Sequence, residues 1–184
     1  MLLLRRFDRD GDKPILFISA MSMIGSRDKQ TRSYMEIVDT RWANTAQHPR
    51  PTWRPCGGAW FSMSWISNTD DHMRNHGFLC DGPDGWRLSP AYDLNPTPTD
   101  IKPCILSTAI NEEDTTASLA VAMAVAGYFE VDDKQAHAIA ADAGKAVATW
   151  RDEAAKRGIR KAQIDRMASA FEHEDLKAVL REQA

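Results

Sequence analysis

Apolar positions recur at helical spacing through the last third of the chain. Leu119, Ala122, Met123, Ala126 and Phe129 fall on one face. Ala136, Ile139, Ala140, Ala143, Val147, Trp150 and Ala154 make a second stripe. Ile164, Met167 and Phe171, continued by Leu176, Val179 and Leu180, make a third. A stripe at this period is the mark of a helix with one buried side, so three helices are predicted, the first of them deeply buried. Asp132 is placed to cap the second and Gly158 to stop it. Further upstream, Ser33 and Glu36 have the spacing of a capping box at the head of a helix running through Val38. Leu2 to Leu4 reads as the end of a buried strand entering the polar turn Asp10-Gly11-Asp12. Ile15 to Ile24 reads as a short helix or irregular segment bounded by Pro14 and Gly25. The fold class predicted is mainly α.

Between these elements lies the densest group of acid, amide and imidazole side chains, Asn68-Thr69-Asp70-Asp71-His72-Met73-Arg74-Asn75-His76. After a Gly/Pro-rich turn it is answered by Leu88-Ser89-Pro90-Ala91-Tyr92-Asp93-Leu94-Asn95-Pro96. Clusters of Asp, Asn, Gly and Pro commonly form surface turns, and Asn68 to Asp70 has the composition of an Asx turn or an N-cap. Against that reading, Trp65, Ile66, Phe78 and Leu79 bracket the first run, and Leu88, Ala91, Tyr92 and Leu94 frame Asp93. Carboxylates next to a core are costly unless paired or bound to a metal. Phosphoryl transfer needs a carboxylate to orient the attacking hydroxyl, and an amide oxygen and second carboxylate to hold Mg²⁺ against nucleotide phosphates. Asp70, Asn75 and Asp93 can fill those roles in order, and the Asp70 to Asn75 spacing equals that of the protein-kinase catalytic loop. A competing arrangement takes His72 and His76 with Asp70 or Asp93 as a hydrolase metal site, although the glutamate of the zincin motif is missing.

Composition narrows the classes. At 184 residues with 43% hydrophobic content the chain can form a one-domain core. A net charge of −3 gives no electrostatic footprint for nucleic acid. No apolar run approaches the roughly 20 residues of a membrane span. Cys56, Cys80 and Cys104 are too few and too scattered for a disulfide framework or zinc knuckle, which favours a cytoplasmic setting. His137 and His173 are expected to be ordinary helix residues. Pro96, Pro98 and Pro103 predict an extended exit from the site with Lys102 as a solvated cation, and the acidic run Glu112 to Asp114 suits the start of a helix.

At Asn68 to Asn75, at Leu88 to Asp93 and at Arg6-Phe7-Asp8-Arg9 the sequence resembles the HipA-like serine/threonine kinases, toxins of bacterial toxin–antitoxin pairs. The resemblance implies the helical C-lobe of that kinase fold over residues 1–184, with a short N-terminal strand remnant and a catalytic loop. It implies Asp70 as the catalytic aspartate, His72 as an organiser of the loop, and Asn75 and Asp93 as Mg²⁺ ligands. ATP and Mg²⁺ are the implied cofactors. A protein substrate and an antitoxin-like protein are the implied partners. Family members carry a nucleotide-binding lobe ahead of the Arg-Phe-Asp-Arg run, with a glycine-rich loop and an ATP-contacting lysine. Neither Gly-x-Gly-x-x-Gly nor Gly-x-x-x-x-Gly-Lys occurs in these residues. Catalysis is therefore expected only where that lobe is supplied. The alternative is a non-catalytic lobe that binds an antitoxin-like partner.

Residues 49–65 depart from the resemblance. Pro49, Pro51, Pro55, Gly57 and Gly58 with three tryptophans make a poor helix, where the family has a long amphipathic one. Permissible codons for Pro51 to Ser64, read with a two-base shift, give Asp-Leu-Glu-Ala-Leu-Trp-Arg-Arg-Val-Val-Phe-Asn-Val. An out-of-frame segment is thus the expectation for this stretch, and resequencing its DNA is the check.

Overall fold

The computed structural model describes residues 6–28, 30–44, 67–82, 85–101, 103, 105–112 and 114–181, with only the backbone over 40–44. Leu2 to Leu4, the irregular stretch 49–65, Trp65, Ile66, Lys102 and Glu113 lie outside the described residues.

The fold is mixed α/β, which corrects the expectation of a mainly α chain: two small antiparallel sheets stand beside the helices. The strands escaped the sequence pattern because each is only two to four residues long, too short to display a period of two. β1 (Arg9–Asp10) and β2 (Lys13–Pro14) form a hairpin whose turn uses Gly11 at φ 58, a left-handed conformation that costs glycine nothing. β3 (Phe17–Ser19), β4 (Gly77–Cys80) and β5 (Trp86–Leu88) form the second sheet with β4 central. Phe17 pairs with Leu79 and Phe78 with Leu88. So Ile15 to Ile24 is neither one helix nor irregular. It is β3 followed by the one-turn α1 (Ala20–Met23), which Ser19 caps by accepting from Ser22 N.

Central β4 is buried throughout its first three residues. Phe78 and Leu79 are among the largest fully buried side chains. Phe78 joins Ala20, Tyr34, Ile37, Met73, Leu106 and Ile110 in the main core, and burying such a ring contributes about 2–3 kcal/mol. α2 (Tyr34–Asn44) supplies Tyr34 and Ile37 to that core. Its head carries both bonds of the predicted capping box, Ser33 N to Glu36 Oε2 at 3.1 Å and Glu36 N to Ser33 Oγ at 3.4 Å.

The three predicted C-terminal helices are more broken than their stripes suggest. The first is α3 (Leu119–Ala124) plus a 3₁₀ turn (Ala126–Phe129), and only Ala126 of it is buried. Asp132 does cap the second with a full capping box to Gln135, but that helix divides into α4 (Asp133–Ala148) and α5 (Trp150–Lys156) at Thr149. There the threonine hydroxyl donates to Ala146 O at 2.9 Å, a back-bond that competes with helix continuation. Gly158 ends α5 at φ 75. The third stripe becomes α6 (Lys161–Arg166), α7 (Ala168–Phe171) and α8 (Glu174–Arg181). Leu176 and Val179 of α8 pack on Ala126, Ala136 and Ala140 in a second core cluster. The acid run before Thr115 does not head a helix. Asp114 instead accepts from Thr116 N at 2.8 Å within a turn, and the head of α3 is capped from α8, Asp175 Oδ2 accepting from Leu119 N at 2.8 Å.

Candidate active site

The site is placed by the β4–β5 hairpin. In an antiparallel pair the entry to one strand and the exit from the other lie at the same end. The 67–76 segment runs into β4 and the 89–97 segment leaves β5, so the two polar runs of the sequence emerge side by side. Ser89 N donates to Gly77 O at 2.7 Å at the seam. Three further bonds fasten the segments together: Asn95 N to Asn68 Oδ1 at 3.3 Å, Thr97 N to Ser67 O at 3.2 Å, and the Tyr92 hydroxyl to Arg74 O at 2.6 Å. Burial and the nearby Asp93 charge raise the Tyr92 pKa, favouring the protonated phenol that makes this bond.

Within the first segment, Asn75 closes a compact turn. Its backbone N–H donates to His72 O at 2.7 Å and its Nδ2 to Asp70 O at 3.2 Å. The chain is braced from the far side by Ser107 Oγ on Thr69 O (2.9 Å) and Thr108 Oγ1 on Asp71 O (2.7 Å). Two residues flanking this region hold positive φ, Ser67 at 47 and Asp93 at 57. Such conformations persist only where the surroundings impose them, and they gather at functional sites.

Each predicted site residue has a definite environment. Asp70 is exposed, and no described residue hydrogen-bonds its carboxylate. Asn75 is 6% exposed, with Nδ2 used internally, which leaves Oδ1 without a donor among the described residues. Asp93 is exposed, and its Oδ1 accepts from Asn95 Nδ2 at 2.6 Å. His72 is half-buried, and its Nδ1 has no hydrogen-bond partner among the described residues. Oxygen donors of this kind, one amide and one carboxylate, suit a hard divalent cation such as Mg²⁺. The hydrolase arrangement finds no support: His72 and His76 lie in a turn rather than on a helix, and among the described residues no three His, Cys, Asp or Glu side chains converge to hold a metal.

Asp71 was given no role from sequence, and His76 was named only in the hydrolase arrangement; their pairing was not foreseen. Both are buried, at 0% and 4% exposure, with His76 Nε2 2.9 Å from Asp71 Oδ1. The contact is close but out of line for a hydrogen bond, so the carboxylate and the imidazole nitrogen are otherwise unsatisfied. The separation itself fixes the pairing, and Tyr34 meets the His76 ring edge-on at 5.2 Å. Asn68 was part of the motif, but its clamping of Asn95 was not foreseen. The sequence signal was the apolar pair Trp65-Ile66 just ahead of it, which marks a nearby core without naming the partner.

The match to known proteins follows this geometry. Residues 1–150 fit the model of the HipA-like C-terminal domain, and the chain belongs to that family. A solved structure with the same fold is HipA from Shewanella oneidensis MR-1, in its toxin–antitoxin complex with HipB and operator DNA. The TM-score is 0.62 at 15% identity, over 96% of this chain and 47% of that one. The chain thus spans about half the length of that protein. No curated protein matches. Among the described residues no helix is long and apolar enough to cross a membrane.

Proposed function

We propose that this chain is the catalytic-loop half of a HipA-like serine/threonine kinase, which transfers the γ-phosphoryl group of ATP to a protein hydroxyl when a nucleotide-binding lobe is present. Asp70 orients the attacking hydroxyl, and Asn75 and Asp93 hold Mg²⁺. When bound, the metal neutralises charge on the phosphates being transferred. His72 organises the loop. The observation that carries the reading is the fastening of the 67–76 and 89–97 segments to each other, with oxygens of Asp70, Asn75 and Asp93 left unengaged around that seam. A carboxylate free of ion pairs is what a hydroxyl-orienting group requires.

Mn²⁺ used as a paramagnetic stand-in for Mg²⁺ tests the metal assignment on the chain as it is. Amide resonances of Asn75, Asp93 and their neighbours should broaden first in a titration, and Asp93→Ala should abolish the effect. Broadening centred elsewhere, or unchanged by Asp93→Ala, sinks the assignment. A second reading, a non-catalytic module that binds an antitoxin-like protein, is favoured by the half-length match to a HipA solved with HipB. Titration with HipB, the antitoxin of that solved complex, distinguishes it, since that reading requires binding that survives Asp93→Ala.

A further inference from the structure

We propose that the cavity beside the candidate active-site loop binds a phosphorylated serine or threonine side chain of a polypeptide. The cavity measures about 520 Å³ and lies between residues 26–28 and 30–32, the 72–74 turn and Ser107–Thr108. Three arginines, Arg27, Arg32 and Arg74, line it in a chain whose net charge is −3. Among the described residues two carboxylates pair with them, Asp28 with Arg74 and Glu36 with Arg32.

The three arginines are prepared differently. Arg32 is held by Ser26 Oγ at 3.0 Å, Gln30 Oε1 at 3.2 Å and Glu36 Oε1 at 3.1 Å, so its fork is oriented before any ligand arrives. Arg27 has no side-chain partner among the described residues. Arg74 carries the Asp28 carboxylate, an internal anion that marks where an external one would sit. That pair is 49% and 67% exposed, and exposed pairs are worth about 0–1 kcal/mol. A phosphate dianion, with three acceptor oxygens and the geometry for bidentate arginine contacts, outcompetes it. The Thr31 hydroxyl on the same wall offers one more donor.

Size and lining decide the carrier. The volume falls in the range of ligand sites of about 300–1,000 Å³, far more than a lone phosphate fills. Among the described residues no Phe, Tyr or Trp lines the cavity to stack a nucleobase, whereas Met21 and Met73 supply apolar wall for the stem of a side chain. A phosphorylated residue with adjoining backbone matches both properties. His72 on the inner wall places this ligand next to the Asp70–Asn75 turn. The inference stands on the cavity and does not depend on phosphoryl transfer by the chain.

Fluorescence anisotropy with the labelled peptide Ala-Gly-pSer-Gly-Ala and its unphosphorylated twin, on the full chain, tests it. The phosphopeptide is expected to bind at least about tenfold tighter than the twin, the scale of one charge-assisted fork. Arg27→Ala and Arg74→Ala should each weaken it about five- to tenfold. Asp28→Asn should tighten it by removing the internal competitor. Arg27 is exposed, so its replacement leaves the fold intact and its result stands on its own. Equal binding of the two peptides, an unchanged affinity in Arg27→Ala, or looser binding in Asp28→Asn would overturn the proposal. So would displacement by ATP or by inorganic phosphate at the affinity of the phosphopeptide, which would reassign the site to a nucleotide or to the free ion.

Discussion

Removing His76 exposes how much the candidate-site turn depends on a pair of buried groups to which no chemistry is assigned. Asp71 is fully buried, and among the described residues His76 at 2.9 Å is the counter-group that faces it. Breaking a buried pair by deleting one member typically costs about 3–5 kcal/mol, because the other is left uncompensated in a low dielectric. His76→Ala also loses the edge-on contact with Tyr34. We therefore expect a loss of at least about 3 kcal/mol, against a total stability of about 5–15 kcal/mol for a domain. For a chain of this size that corresponds to a Tm lower by about 6–12 °C. Asp71→Asn keeps the shape and deletes the charge, so its cost should be about 1–2 kcal/mol. Once the carboxylate is gone, His76→Ala should be cheaper, and the double variant should cost less than the sum of the singles by at least about 1 kcal/mol. Urea unfolding of the four proteins of the cycle measures this directly. Additive single costs, or a His76→Ala cost below about 1 kcal/mol, would refute the pairing.

Two further outcomes are expected. With residues 68–95 grafted into a full-length relative, Asp70→Asn should nearly abolish phosphoryl transfer with nucleotide binding retained, Asp93→Asn should weaken Mg·ATP binding and turnover together, and His72→Ala should cost less than either; equal, complete losses for His72 and Asp70 with Asp93→Asn still active would contradict the roles in a steady-state assay. Tyr128 donates to Asp39, and that hydrogen bond pushes its pKa up to about 12. The raised value means that this contribution to stability is present below the ordinary tyrosine range near pH 10 and is lost as pH rises toward 12. Absorbance of the phenolates should show a titration step for Tyr128 well above the ordinary range, returned toward pH 10 by Asp39→Asn, and a titration in that variant identical to that of the parent protein would disprove the linkage.

Much of the candidate site's make-up was legible because its residues lie close together in the sequence. Asp70, Asn75 and their spacing lie in one turn, and Ser33–Glu36 and Asp132–Gln135 are caps whose partners stand three residues apart. Asp93 could be named from its frame, and the hairpin then supplied its neighbourhood. What the sequence withheld depends on long-range placement. The Asp71–His76 pairing requires a tight turn that reverses the chain, and periodicity carries no information about such a reversal. The mainly α expectation failed for the same reason: β3 gains its identity from β4, some 60 positions away. The helical stripes were right in face and wrong in continuity, because Thr149 keeps the period while its hydroxyl competes for a carbonyl.

The capping of α3 by Asp175 sets the limits within which this domain can be handled as a unit. The family match ends at residue 150, yet the residues past it are stitched to the body at several points. Asp175 satisfies Leu119 N, Ser169 Oγ accepts from Thr99 N at 3.2 Å, and Arg166 reaches Asp100 at 2.8 Å. Leu176 and Val179 cover the small side chains Ala136 and Ala140. An expression boundary drawn at the end of the family match would strip that cover and open the apolar face of α4 to solvent. It would also release the loop that carries Thr99 and Asp100, a few residues past Asp93. Protein cut there is expected to aggregate, so a fragment meant for binding or exchange measurements should retain every residue through Arg181.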